Sequence, residues 1–213
     1  MKTISIKIFG PALTLLFMGT LLSMTQCTEL NGLDDPAELE QQLTDDEIEG
    51  ILYLREEEKL ARDVYLYLYE IFPLRPFLNI SKSEQAHMDA IKYLIDTYEL
   101  VDPVGDNPAG IFQNKELQQL YDDLIKMGST SREEALKVGA LIEEVDIIDL
   151  RTELENHAEN EDVIRVFENL CEASERHLKA FVGVLVLYDV KYSPVKLDSE
   201  EFDRIIAGPS ASD

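Results

Sequence analysis

From residue 45 onward the apolar side chains of this chain recur at three- and four-residue intervals, and no window alternates apolar and polar residues as a strand would. A chain patterned this way must pack helix against helix, so its fold class is all-α. Thr44-Asp45-Asp46-Glu47 is a capping box, with Leu43 and Ile48 set as a hydrophobic staple. It predicts a first long helix from about residue 45 to Glu70, stopped by Pro73. Ser81-Lys82-Ser83-Glu84 reads as the start of a second helix, which carries to about Tyr98 and ends before Pro103. Residues 102–113 hold two prolines and two glycines and form a loop. A short amphipathic helix from Lys115 to Lys126 follows, with Gly128 suited to its C-terminal cap. Ser131-Arg132-Glu133-Glu134 opens a third long helix that reaches about Leu154, and a fourth runs from near Asp162 to Tyr188. The expected unit is a four-helix bundle over residues 44–190, with 191–213 as a C-terminal extension carrying one last turn from Ser199 to Ile206.

Polar residues inside these apolar stripes carry the functional information. The neighbours of Glu58 at helical offsets are Ile51, Leu54, Ala61, Tyr65 and Leu68, so its carboxylate points inward. Glu84 and His87, three residues apart, share a face with Ile91, Leu94 and Ile95. His177 stands among Phe167, Leu170, Phe181 and Leu185, and either Glu143 or Glu144 shares the stripe of Leu136, Ala140 and Ile147. A buried carboxylate needs a proton, a cation or a metal. Four helices that each carry an inward oxygen or imidazole ligand match what first-row metals select. Glu57 competes with Glu58 in phase, and Glu84 doubles as the capping partner of Ser81. Glu56 and His157 are expected at the surface, whereas Arg62, Asp63, Asp146 and Arg151 are candidates to support the ligands.

Composition narrows the partners. Forty-three acidic residues against 19 Lys+Arg give a net charge of −24, which excludes nucleic acid and anionic membrane surfaces as natural targets. At the N-terminus, Lys2 and Lys7 precede an uncharged, largely apolar stretch from Pro11 to Met24, the pattern of an export signal over residues 1–26. Cys27 follows directly and is the expected site of a lipid anchor, with residues 27–43 as an acidic tether at the cell envelope; a secreted or periplasmic soluble protein is the alternative. The other cysteine, Cys171, lies in an apolar helical pattern, and with no Cys-x-x-Cys pair the chain has no rubredoxin-like or thioredoxin-type site.

Glu58-x-x-Ala61-Arg62-x-x-Tyr65 resembles the first metal-binding helix of rubrerythrins and ferritins, and Glu84-x-x-His87 their second. More closely, Glu56 to Tyr65, Ser83 to His87, Gly139 to Ile147 and Arg176 to Phe181 resemble, in order, the ferritin-like family of unknown function numbered 2202. That resemblance implies an antiparallel four-helix bundle with a short extra helix between helices two and three. It implies metal ligation by Glu58, Glu84, His87, Glu144 in preference to Glu143, and His177. It further implies two iron (or manganese) ions, reaction with dioxygen or peroxide, and a homodimer. One departure stands out: Ser174 occupies the position, three residues before His177, where rubrerythrin-like helices carry a carboxylate. Besides a di-metal oxidoreductase, a module that holds metal without turnover and a bundle that has lost its site are therefore carried forward.

Overall fold

The capping box at Thr44 forms as its sequence dictates: the Thr44 hydroxyl accepts from the Glu47 N–H, and the Glu47 carboxylate accepts from the Thr44 N–H. It opens the first of six helices in the computed structural model, which describes residues 42–208. These are α1 (Asp45–Ile71), α2 (Arg75–Thr97), α3 (Lys115–Gly128), α4 (Arg132–Asn156), α5 (Glu161–Leu187) and α6 (Ser199–Ala207). No strand occurs among the described residues, so the chain is an all-α bundle. The export signal expected at 1–26, Cys27 and most of the tether fall outside the described residues. Among the described residues no helix is long and apolar enough to cross a membrane.

One boundary differs from expectation. α2 begins at Arg75, with a proline in its first turn, and not at Ser81. Pro76 lacks an N–H and has a fixed φ, so it starts a helix as well as a capping side chain does. Ser81 instead lies buried within α2, its hydroxyl donating to the Leu78 carbonyl. Glu84 thereby loses any role as a capping partner.

Short connections at 72–74 and 157–160 fold α1 against α2 and α4 against α5. Cross-contacts fix the remaining directions. Tyr53 meets Asp149 while Tyr65 meets Glu143, so α1 and α4 are antiparallel. Glu84 meets His177 while Tyr98 meets Asn160, so α2 and α5 are antiparallel as well. The long 98–131 connection, including α3, then runs along the α1–α4 side of the bundle. Its loop is tied to α1 by buried charge. Arg55 pairs with Asp102 at 3.0 Å, Lys59 donates to Asp63 and to the Pro108 carbonyl, and Asp63 accepts from the Gly110 N–H. As a result residues 54–61 of α1 are buried without interruption, all the way round the helix.

A cluster of Tyr65, Phe77 and Phe181, with ring centroids 5.2 and 5.5 Å from Phe181, fills the core beside the polar centre. Gly139 makes room for it, because a Cβ there would lie 2.5 Å from the Phe181 ring. The C-terminal extension folds back, burying Tyr192, Leu197, Phe202 and Ile205.

Candidate metal centre

The buried acidic side chains of α1 and α4 fall into two groups by their hydrogen bonds. Glu47, Glu56 and Glu144 are saturated by backbone N–H donors. Glu47 accepts from Glu159 and Asn160 N–H at 2.8 and 2.6 Å, and Glu56 from Gln113 and Asn114 N–H at 2.5 and 2.9 Å. Glu144 accepts from the N–H groups of Val195, Lys196 and Leu197 and from the Tyr192 hydroxyl. Asp63 joins them, held by Lys59, Arg62 and the Gly110 N–H. These carboxylates fasten loops to helices. Glu56 is therefore buried and structural, not solvated as its sequence context predicts. In the other group, Glu57, Glu58 and Asp146 retain oxygens without a hydrogen-bond donor, and on α2 both oxygens of Glu84 lack an aligned hydrogen bond. Buried polar atoms are almost always satisfied, so a concentration of orphaned oxygens points to a missing partner.

That concentration lies mid-bundle. Glu58 from α1, Glu84 and His87 from α2 form one triad whose ligand atoms lie within 4.8 Å of one another. Glu84, Glu143 from α4 and His177 from α5 form a second. His87 Nδ1 lies 2.7 Å from Glu84 Oε2 and 3.1 Å from Glu58 Oε2. His177 Nδ1 lies 3.0 Å from Glu84 Oε1 and 3.5 Å from Glu143 Oε2. Glu84 thus turns one oxygen to each imidazole, and the rings face each other with centroids 5.6 Å apart. Neither Glu84 oxygen receives an aligned hydrogen bond. The imidazole nitrogens and carboxylates converge on shared space, the donor set and geometry that cations occupy.

The structure brings Glu58, Glu84, His87 and His177 together, as their sequence pattern predicts, and it corrects the choice of Glu144. Glu143 stands in the centre, and Glu144, one residue or about 100° further round α4, grips the C-terminal extension. Periodicity does not separate the two, because Glu143 is seven residues from buried Leu136 and Leu150 while Glu144 is four and three residues from buried Ala140 and Ile147. His157, expected at the surface, is half-buried beside Asp46. Arg62 supports Asp63 and Gln85 through hydrogen bonds, and Arg151 pairs with Glu175 and Glu201, away from the centre.

Ser174, three residues before His177, reaches Asp146 on α4. Asp146 Oδ2 accepts a short hydrogen bond from the Ser174 hydroxyl while Oδ1 has no donor. Burial, then the charges of Glu58, Glu143 and Glu84, hold its carboxyl far above the usual range. Ser174 on α5 thus holds one oxygen of an α4 carboxylate and leaves the other without a donor. Tyr65 donates to Glu143 Oε1 at 2.5 Å and orients it from the opposite side.

Without a metal, protons hold this charge together. Burial pushes Glu58 up to about 7 despite the nearby His87. Burial alone would lower the imidazoles, but Glu58 and Glu84 raise His87 to about 11, and Glu143 and Glu84 raise His177 to about 10. Burial would raise Glu84 too, yet its contacts with His177 and His87 pull it down to about 2. The metal-free centre is a cluster of imidazolium and carboxylate, in which protons take the place of cations.

Comparison with known proteins agrees over nearly all of the folded region. The chain is 46% identical over 167 residues to Uncharacterized protein MJ0754 of Methanocaldococcus jannaschii, covering 78% of this chain and 90% of that protein. The crystal structure of hypothetical protein MJ0754 from Methanococcus jannaschii superposes with a TM-score of 0.77 at 45% identity, covering 79% of this chain and 96% of the other. The family described as Uncharacterized protein domain (DUF2202) matches residues 47–209, and the chain belongs to it.

Proposed function

We propose that this protein holds two first-row metal ions, iron or manganese, in a ferritin-like carboxylate–histidine centre, and that the loaded protein reacts with dioxygen or peroxide. Glu58 and His87 would hold one ion, Glu143 and His177 the other, with Glu84 between them and Asp146 as the fourth carboxylate. The observation that carries the reading is the pair of buried triads sharing Glu84, with orphaned oxygens where a cation would satisfy them. Hard and borderline divalent metals prefer this mixture of carboxylate oxygen and imidazole nitrogen.

A reduced metal pair in such a centre supplies electrons to an oxidant. The chain's own residues set the conditions. His87 and His177 give up their protons to coordinate, so loading releases protons and binds less well in acid. Ser174 and Tyr65 fix the rotamers of Asp146 and Glu143 by hydrogen bonds, as groups behind metal ligands commonly do. Tyr65, Phe77 and Phe181 keep one side of the centre dry.

The test is elemental analysis of the full chain purified after growth in iron or manganese, followed by addition of peroxide to the ferrous protein. Two ions per chain and a stoichiometric optical change are expected; absence of bound metal would refute the reading. Bound metal with no response to peroxide would select instead a module that holds metal without turnover, whereas Ser174 is the residue that favours a bundle without a working site, which absence of metal would select. As part of the same proposal, the protein works at the cell envelope, anchored by a lipid on Cys27, which mass spectrometry of a membrane fraction would detect.

A further inference from the structure

Glu57 belongs to neither triad and to none of the loop fastenings. Its side chain lies between α1 and α4, 2% exposed, with no donor to either oxygen. Its electrostatic neighbours are Asp146 and Glu58 on one side and Asp149 on the other, and its carboxyl reaches that of Asp149. A buried carboxyl that meets a half-buried one is held most readily by a shared proton or cation.

Asp149 in turn lines a surface cavity of 340 Å³ together with Asp46, Glu49, Tyr53, Glu153 and His157. Tyr53 donates to Asp149 at 3.5 Å and leaves its other oxygen free of that bond. At Gly50 the Glu153 carboxylate leans over α1, closer than contact distance to where a Cβ would stand. Asp149 at the cavity, then Glu57 and Asp146 with their donorless buried oxygens, therefore form a row of carboxylates leading toward Glu58 and Glu84. Apolar walls border the row, with Leu60, Leu141, Ile142 and Val145 lining the hollow beside Glu57.

We propose that this row is the entry route for the metal: a divalent cation collects in the acidic cavity and is handed from Asp149 to Glu57 to Asp146 before it reaches the triads. The inference rests on the metal reading above. A divalent ion entering an apolar core must exchange water for anionic oxygen at each step, and the row supplies such oxygens at successive depths. Acid at the mouth concentrates cations and speeds their arrival. Lys196 is the basic side chain that acts on Asp149, and the half-buried His157 stands at the rim beside Asp46.

The test uses the metal-free full chain and Co²⁺ alone, with uptake followed by stopped-flow visible absorption and affinity measured at equilibrium. Glu57→Gln and Asp149→Asn keep the shapes of the side chains, and Glu153→Gln is a third variant at the half-exposed rim. Expected are wild-type stoichiometry and affinity in all three, with uptake slowed at least about tenfold in the first two, the scale of electrostatic focusing, and a smaller slowing in the third. Wild-type uptake rates in Glu57→Gln and Asp149→Asn, with binding intact, would overturn the route and leave the metal reading standing. Loss of stoichiometry in Glu57→Gln would overturn it too, by making Glu57 a ligand. A wild-type chain that takes up no Co²⁺ would overturn both.

Discussion

Glu56, Glu57 and Glu58 are adjacent, chemically identical and all buried, yet their roles differ, since one ties down a loop, one lies on the acidic row and one faces the triads. The distinction lies in donors, and it makes substitutions at similar residues diverge. Glu84→Gln should abolish tight metal binding, because both triads lose a carboxylate, as elemental analysis would record. Glu144→Gln should leave metal content unchanged and lower stability by about 1–3 kcal/mol, since its backbone donors lose a charged acceptor. Chemical denaturation would measure that loss. The metal-free protein should also respond to pH in one direction. Glu58 is raised to about 7, His177 to about 10 and His87 to about 11, so the stability they contribute is full below their unfolded values of 4.5 and 6.5 and is lost as pH rises through the folded ones. Glu84, lowered to about 2, acts oppositely and only in strong acid. Metal-stripped protein should melt at a lower temperature at pH 9 than at pH 6, and a higher midpoint at pH 9 would contradict this balance of charges. Glu58, Glu84, His87 and His177 were legible because each interrupts a clean apolar stripe. Glu143 was not, because both it and Glu144 are buried and periodicity separates only buried from exposed.

At the level of helices, legibility followed coverage. α3 and the caps at Thr44 and Ser131 are written in local side chains, and the structure forms each of them. α1 was harder, since the 98–114 loop covers its outer face and buries Arg55, Glu56 and Lys59, of which Glu56 read as solvent-facing. Such tertiary cover leaves no periodic trace in the helix it hides. α4 has the same difficulty, with α3 on one flank and the C-terminal extension on another. Its packing against α5 depends on Gly139. Gly139→Leu should destabilise the bundle by about 1–3 kcal/mol through overpacking against Phe181. Urea denaturation would show a lower midpoint; an unchanged midpoint would mean that α4 and α5 can move apart freely.

For the molecule as a whole, the all-α class followed directly from periodicity, whereas the return of residues 191–208 to the α4 surface did not. Its anchor, Glu144, pairs with backbone N–H groups that any sequence could supply. On the proposed metal reading, ion binding and folding are linked. Ions that bind only the folded chain should raise its stability by about 2.7 kcal/mol at about a hundred times the dissociation constant. Thermal melts with and without Co²⁺ would read this as an upward shift. One carboxylate serving two triads also means that the two positions cannot fill as strangers. If two ions bind as proposed, whichever arrives second would find an oxygen donor already drained by its predecessor and a like charge a few ångströms away, so titration should resolve a tight step followed by a looser one. By thermodynamic reciprocity each ion weakens the other equally, and in scarcity the protein would rest half-filled.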